Sequence, residues 1–142
     1  MAPAPNTRSR LVLAICFVTA LYWLALFVAT HVPMRRRPET AAHKDFDKGE
    51  HLAAFAGLAL LLCTTGVVLG QPLSRLFAIV LAIVAGYGAI DEVTQLLVPT
   101  RAADLRDWLA DIAGGLAGII AFGLAWTVML AFKGRRAAVR AG

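Results

Sequence analysis

Charge is scarce in this chain. Only 16% of its 142 residues are Asp, Glu, Lys or Arg, while 59% are apolar, and the mean hydropathy is +0.71. That lies well above the balance of an ordinary globular domain. One domain of this length holds more apolar surface than a soluble core can hide. Cysteine is nearly absent. Cys16 and Cys63 both sit inside apolar runs, which reads as two buried thiols and excludes a disulfide framework. No His-x-x-x-His occurs, so the familiar helical zinc pair is missing. No serine or cysteine stands beside a base, which leaves nucleophilic catalysis without support. The net charge is +5, yet there is no basic stripe interleaved with aromatics, so nucleic acid is not an expected partner.

What the chain does have is four greasy segments. Residues 1–10 are polar, proline-rich and basic, and read as a disordered tail. Residues 11–30 carry no charge, and twenty residues at about 1.5 Å each cross a hydrocarbon core of roughly 30 Å. The run is longer than a signal-peptide core and no small-x-small cleavage site follows, so it reads as a retained helix. Residues 31–48 read as a polar loop containing Arg35-Arg36-Arg37. Asp47 and Glu50 have the spacing of a capping box, and residues 52–70, again uncharged, form a second span ended by Gln71-Pro72. Gly66-x-x-x-Gly70 and Gly114-x-x-x-Gly118 allow close helix contact. Residues 112–132 form the fourth span, which Lys133-Gly134-Arg135-Arg136 is expected to stop, leaving 134–142 as a basic tail.

The third segment is the informative one. Residues 76–90 are only fifteen long, about 22 Å as a helix, too short to span. The helix is therefore expected to start near Ser74 as cap and to continue through Asp91, Glu92 and Gln95 to Val98, where Pro99 ends it. Two adjacent carboxylates are then held at or below the head-group level. Asp91 and Gln95 share a face, and Glu92 points about 100° away. Thr100 or Asp104 caps the fourth helix, on which Asp104, Asp107 and Asp111 form one face.

Four spans put both termini on one side, and the polar ends of the second, third and fourth helices at the opposite surface. Lys and Arg divide seven to seven between the two sides, so the count sets no orientation; the basic termini lean toward the cytoplasm. Ionisable groups within a span must pair or face water. Arg101, Arg106, Lys48 and His51 are the expected partners of Asp91, Glu92, Asp107 and Asp111. Arg101 also suits a phosphate or carboxylate in a bidentate fork. A carboxylate or His51 can serve as general base. His51 with one or two carboxylates is a set that a metal can use, although no particular metal or cofactor is assigned. His31 and His43 read as loop residues.

At these residues the sequence resembles the VanZ-like family of small membrane proteins. Asp47-Lys48-Gly49-Glu50-His51 matches that family's Asp-Lys-x-x-His at the opening of a span. Asp91-Glu92-Val93-Thr94-Gln95 matches its Asp-Glu-x-x-Gln, followed by Pro99 and Arg101 in the turn. Asp104 and Asp107 match its acidic helix start and Gly114 its later glycine. Asp111 stands where the family commonly has Asn, and Thr100 where it commonly has Gly. The resemblance covers residues 47–118. It implies an integral protein of a bacterial plasma membrane acting near cell-envelope precursors. The family's named member is associated with low-level resistance to the glycopeptide teicoplanin. No reaction follows from the resemblance.

The expectation is thus an all-α, four-helix transmembrane bundle over residues 11–133. Asp47, His51, Asp91 and Glu92 are candidates for chemistry, with Lys48, Gln95, Arg101, Asp104, Asp107 and Asp111 as candidates for binding. Membrane lipids surround it, and the candidate ligand is a polar or anionic envelope lipid or precursor. The rival reading is non-catalytic: the charges only lock the bundle or bind a partner protein. A proton or ion pathway is disfavoured, because Thr19, Thr64, Thr65 and Thr127 are too few to line one.

Overall fold

The computed structural model describes residues 6–32, 41–99 and 101–141, with side chains described for 6–32, 48–99, 101–137 and 139. They form four helices: α1 (Thr7–Thr30), α2 (Ala41–Val68), α3 (Leu73–Gln95) and α4 (Leu105–Ala141). There is no strand among the described residues. Each helix contains a stretch long and apolar enough to cross a membrane, so the chain is an all-α bundle of four membrane-spanning helices.

The helix ends depart from the sequence expectation for local reasons. α1 begins before residue 11 because Asn6 caps it, its side chain accepting the Ser9 N–H at 2.9 Å. Arg8 and Arg10 are therefore helical. α2 begins at Ala41, so the loop expected over 31–48 is helical in its second half, and Asp47 lies inside the helix and cannot cap it. Residues 33–40, including Arg35-Arg36-Arg37, lie outside the described residues, as do Thr100 and the side chains of His43 and Asp47. α2 closes on Gly70 at φ 82. The Gln71 N–H bonds to Gly66 O and the Gly70 N–H to Val67 O, the paired bonds of a Schellman ending, which only glycine adopts without strain. Pro72, not Ser74, precedes the first turn of α3, with no side-chain cap. α3 passes through Asp91 and Glu92 as expected but ends at Gln95. Leu96, Leu97 and Val98 then wind into tighter turns, each N–H bonding three residues back. α4 runs past Lys133 and Gly134 to Ala141. Its thirty-seven residues measure about 55 Å, so a basic end extends beyond any hydrocarbon core.

Packing explains where the polar residues of α3 go. Its buried positions Leu76, Val80, Val84 and Gly88 recur every four residues, and the next members of that stripe are Asp91, Glu92 and Gln95. Helical periodicity thus carries them into the interior. α2 packs most extensively on α4, α3 lies against both, and α1 leans mainly on α2. The α2–α4 contact is close because of Gly114 and Gly118: a Cβ at either would collide with the carbonyls of Leu52 and Ala56 respectively. Phe55, Leu58, Ala59 and Cys63 of α2 meet Val80, Val84 and Ile119 in the core. Cys16, by contrast, is half-buried on α1. Apolar packing has little solvophobic advantage in lipid, so small polar ties matter. Tyr22 donates to Ala54 O at 2.8 Å, and the Thr19 and Thr65 hydroxyls meet at 2.8 Å.

Candidate functional site

Antiparallel spans bring the end of α1, the apolar entry of α2, the end of α3 and the start of α4 together. Asp91 stands four residues before the end of α3, about 6 Å along the axis, and is fully buried (0% exposed). Its Oδ1 accepts the Thr30 hydroxyl at 2.8 Å, and its Oδ2 accepts Gln95 Nε2 at 2.8 Å. Tyr87 OH lies 3.5 Å from the same Oδ1, and His31 Nδ1 at 3.8 Å. His31 itself is held by Phe27 O at 2.8 Å and by the Thr94 hydroxyl at 2.9 Å. Every oxygen of Asp91 has a partner. This half of the site ties α1 to α3.

Glu92, turned away on the next residue, serves a different neighbourhood. Its Oε2 accepts the Asp104 N–H at 2.7 Å. Asp104 in turn caps α4, accepting the Arg106 N–H at 2.8 Å. Across the bundle His51 Nδ1 donates to Asp111 Oδ1 at 2.9 Å, and both residues are buried. One ligand atom each of His51, Glu92 and Asp107 lies within 4.8 Å of the others, which makes them, among the described residues, a set of donors suited to a metal ion. Two buried oxygens here have no hydrogen-bond partner, Glu92 Oε1 and Asp111 Oδ2. Buried polar atoms in native proteins are nearly always bonded, so two orphans at one end of the bundle are informative; the Asp111 atom lies against Gly88 of α3. At Glu92 an open groove of about 340 Å³ is lined by Ala89, Glu92, Ala103, Asp104, Leu105 and Trp108. Trp108 is fixed there by its bond to Ala85 O at 2.9 Å.

Of the residues expected at the site, His51, Asp91, Glu92, Gln95, Asp104, Asp107 and Asp111 come together at this end of the bundle. Lys48 lies half-buried one turn before His51 on α2. The Asp47 side chain is outside the described residues. Arg101 goes elsewhere: its Nε donates to Val32 O at 3.4 Å, tying the α3–α4 turn to the end of α1. Among the described residues it pairs with no carboxylate, because the turn carries its guanidinium toward α1. Thr30, His31, Thr94, Tyr87 and Trp108 were not expected. Thr30 and His31 were legible in principle, since they close the first span at the same face as Asp91.

No match was found among curated proteins or among solved structures. The family model for VanZ/LLP1 matches residues 6–127, which takes in three spans, most of the fourth and every polar group of the site. The chain therefore belongs to the VanZ/LLP1 family.

Proposed function

We propose that this protein binds the polar head group of a membrane lipid, or of a lipid-linked envelope precursor, in the groove beside Glu92. The observation that carries the reading is the orphaned, buried Oε1 of Glu92, a groove-lining residue, with a second orphan, Asp111 Oδ2, at the same end of the bundle. A cluster built only to lock helices would satisfy its own acceptors, as Asp91 does. The orphaned atoms call for donors, which hydroxyl or amino groups of a head group bring. Lys48, one turn before His51 on α2, is the positive charge proposed for a phosphate, while Arg101 has its Nε on Val32 O. Apart from Glu92 and Asp104 the groove is lined by apolar side chains, which suits an acyl or polyprenyl chain arriving from the bilayer. The resemblance to VanZ-like proteins makes bacterial cell-wall precursors one class to test, with the link to teicoplanin as its motivation. His51, oriented by Asp111, is the group placed to accept a proton from a bound head group. Asp47 and Asp91 have weaker claims to chemistry, Asp91 because its oxygens are occupied.

The locking role has its own support, the saturated Asp91 half, and both roles coexist on one helix. Lipid identification by mass spectrometry on gently purified protein tests the binding reading. A defined lipid class is expected with the wild type and its loss with Glu92→Gln, at unchanged folded yield. Co-purified lipid that mirrors the bulk membrane, in both proteins alike, refutes it.

A further inference from the structure

We propose that His51, Glu92 and Asp107 form a binding site for one divalent transition-metal ion of the zinc or manganese class. The three residues come from α2, α3 and α4, and their ligand atoms all lie within 4.8 Å of one another. Glu92 is only 6% exposed. It is pinned through Oε2 by the Asp104 N–H, while Oε1 is left without a hydrogen bond. A carboxylate held by one oxygen with the other orphaned and buried is shaped as a ligand. His51 is prepared in the same way. Its Nδ1 donates to Asp111, which sets the tautomer and makes Nε2 the coordinating nitrogen. This carboxylate–imidazole pairing orients metal-binding histidines and raises their basicity.

The donor set also selects the ion. One imidazole with two carboxylates suits zinc or manganese, whereas calcium takes six or more oxygens and magnesium keeps most of its water. A double positive charge offsets the repulsion among Glu92, Asp107 and the buried Asp111 where little water reaches them. Bonds of about 2.0–2.2 Å require the three donors to close in on the ion from the spacing at which they stand. Three protein donors leave positions open for water or for an oxygen of a bound head group. The ion does not depend on a lipid being present, so the two readings fail separately; an ion on Nε2 replaces only the proton-accepting part proposed for His51.

The test uses the full chain, purified in detergent without chelator and desalted. Zinc and manganese are measured by plasma mass spectrometry, and thermal midpoints are compared after chelation and after adding back ZnCl2 or MnCl2. We expect about one ion per chain, a lower midpoint on stripping and recovery on re-addition. Glu92→Gln and Asp107→Asn should lose the ion. Asp111→Asn should weaken its affinity about 10–100-fold, and Glu50→Gln, an exposed acid on α2, should keep it. A wild type with neither metal above the buffer blank and no midpoint response overturns the proposal. So does retention of the ion at wild-type affinity in both ligand variants. Should Glu92→Gln fail to fold, the half-buried Asp107→Asn decides alone. Metal without a defined lipid removes only the lipid reading; lipid without metal removes only this one.

Discussion

Asp91 and Glu92 are adjacent, equally acidic and both buried, yet they do different work. Consecutive side chains on a helix diverge by about 100°, so one carboxylate faces α1 and the other faces α4. Asp91 is surrounded by donors that complete it; Glu92 keeps an unpaired oxygen. The consequences of substitution should therefore separate. Thr30→Val removes the hydroxyl that Asp91 Oδ1 accepts and leaves a buried carboxylate short of a donor. It should destabilise the folded protein by about 1–3 kcal/mol while leaving bound lipid and metal unchanged. Glu92→Gln should do the reverse, abolishing bound ligand with a midpoint no lower than that of the metal-stripped wild type. Unfolding in detergent, followed side by side with ligand content, reads both effects. Equal behaviour of the two variants would erase the division of labour.

Helices α2 and α4 carry the site's two firmest members, His51 and Asp111, and their spacing is set one turn further in. Gly114 meets the Leu52 carbonyl, one residue after His51, where a Cβ has no room. Gly114→Ala must push the helices apart, at about 1–3 kcal/mol by analogy with overpacked cores. Because the imidazole and Asp111 sit beside that contact, the same change should lengthen their 2.9 Å bond and weaken ligand binding beyond the loss of stability. Comparing Gly114→Ala with Gly123→Ala makes the check, since a Cβ at Gly123 meets only ordinary contacts. Equal midpoints for the two would contradict the close-approach account.

Across the bundle, the acids gather at one end and the basic termini lie at the other. With the termini in the cytoplasm, as their basic character favours, the site opens outward. Leu97 is 84% exposed in the turn after α3, and Arg136 is exposed on the far extension of α4. A membrane-impermeant maleimide should label Leu97→Cys in intact cells and Arg136→Cys only after permeabilisation. The opposite pattern turns the site inward.

Much of this molecule is written in its residue order, and the rest follows from how the helices pack. Four apolar runs, counted against bilayer thickness, suffice for four spans, because length and hydropathy are local properties that the bilayer reads directly. A fifteen-residue run too short to cross forces Asp91 and Glu92 into helix, and antiparallel connection forces the polar ends to one face. Helix termini were less legible: Asn6 and the Ala41 start extend α1 and α2, and Gly134 fails to stop α4, since none of these is decided by hydropathy. Partner choice was legible only in part: His51 meets Asp111 and Gln95 meets Asp91 as expected, the rest not. Arg101 looked like the natural counter-ion and instead bonds Val32, while Thr30 and His31, seemingly the bland close of a span, complete Asp91. Which side chains meet across helices depends on rotation about each axis and on the close α2–α4 approach, and both arise only when the four helices pack together.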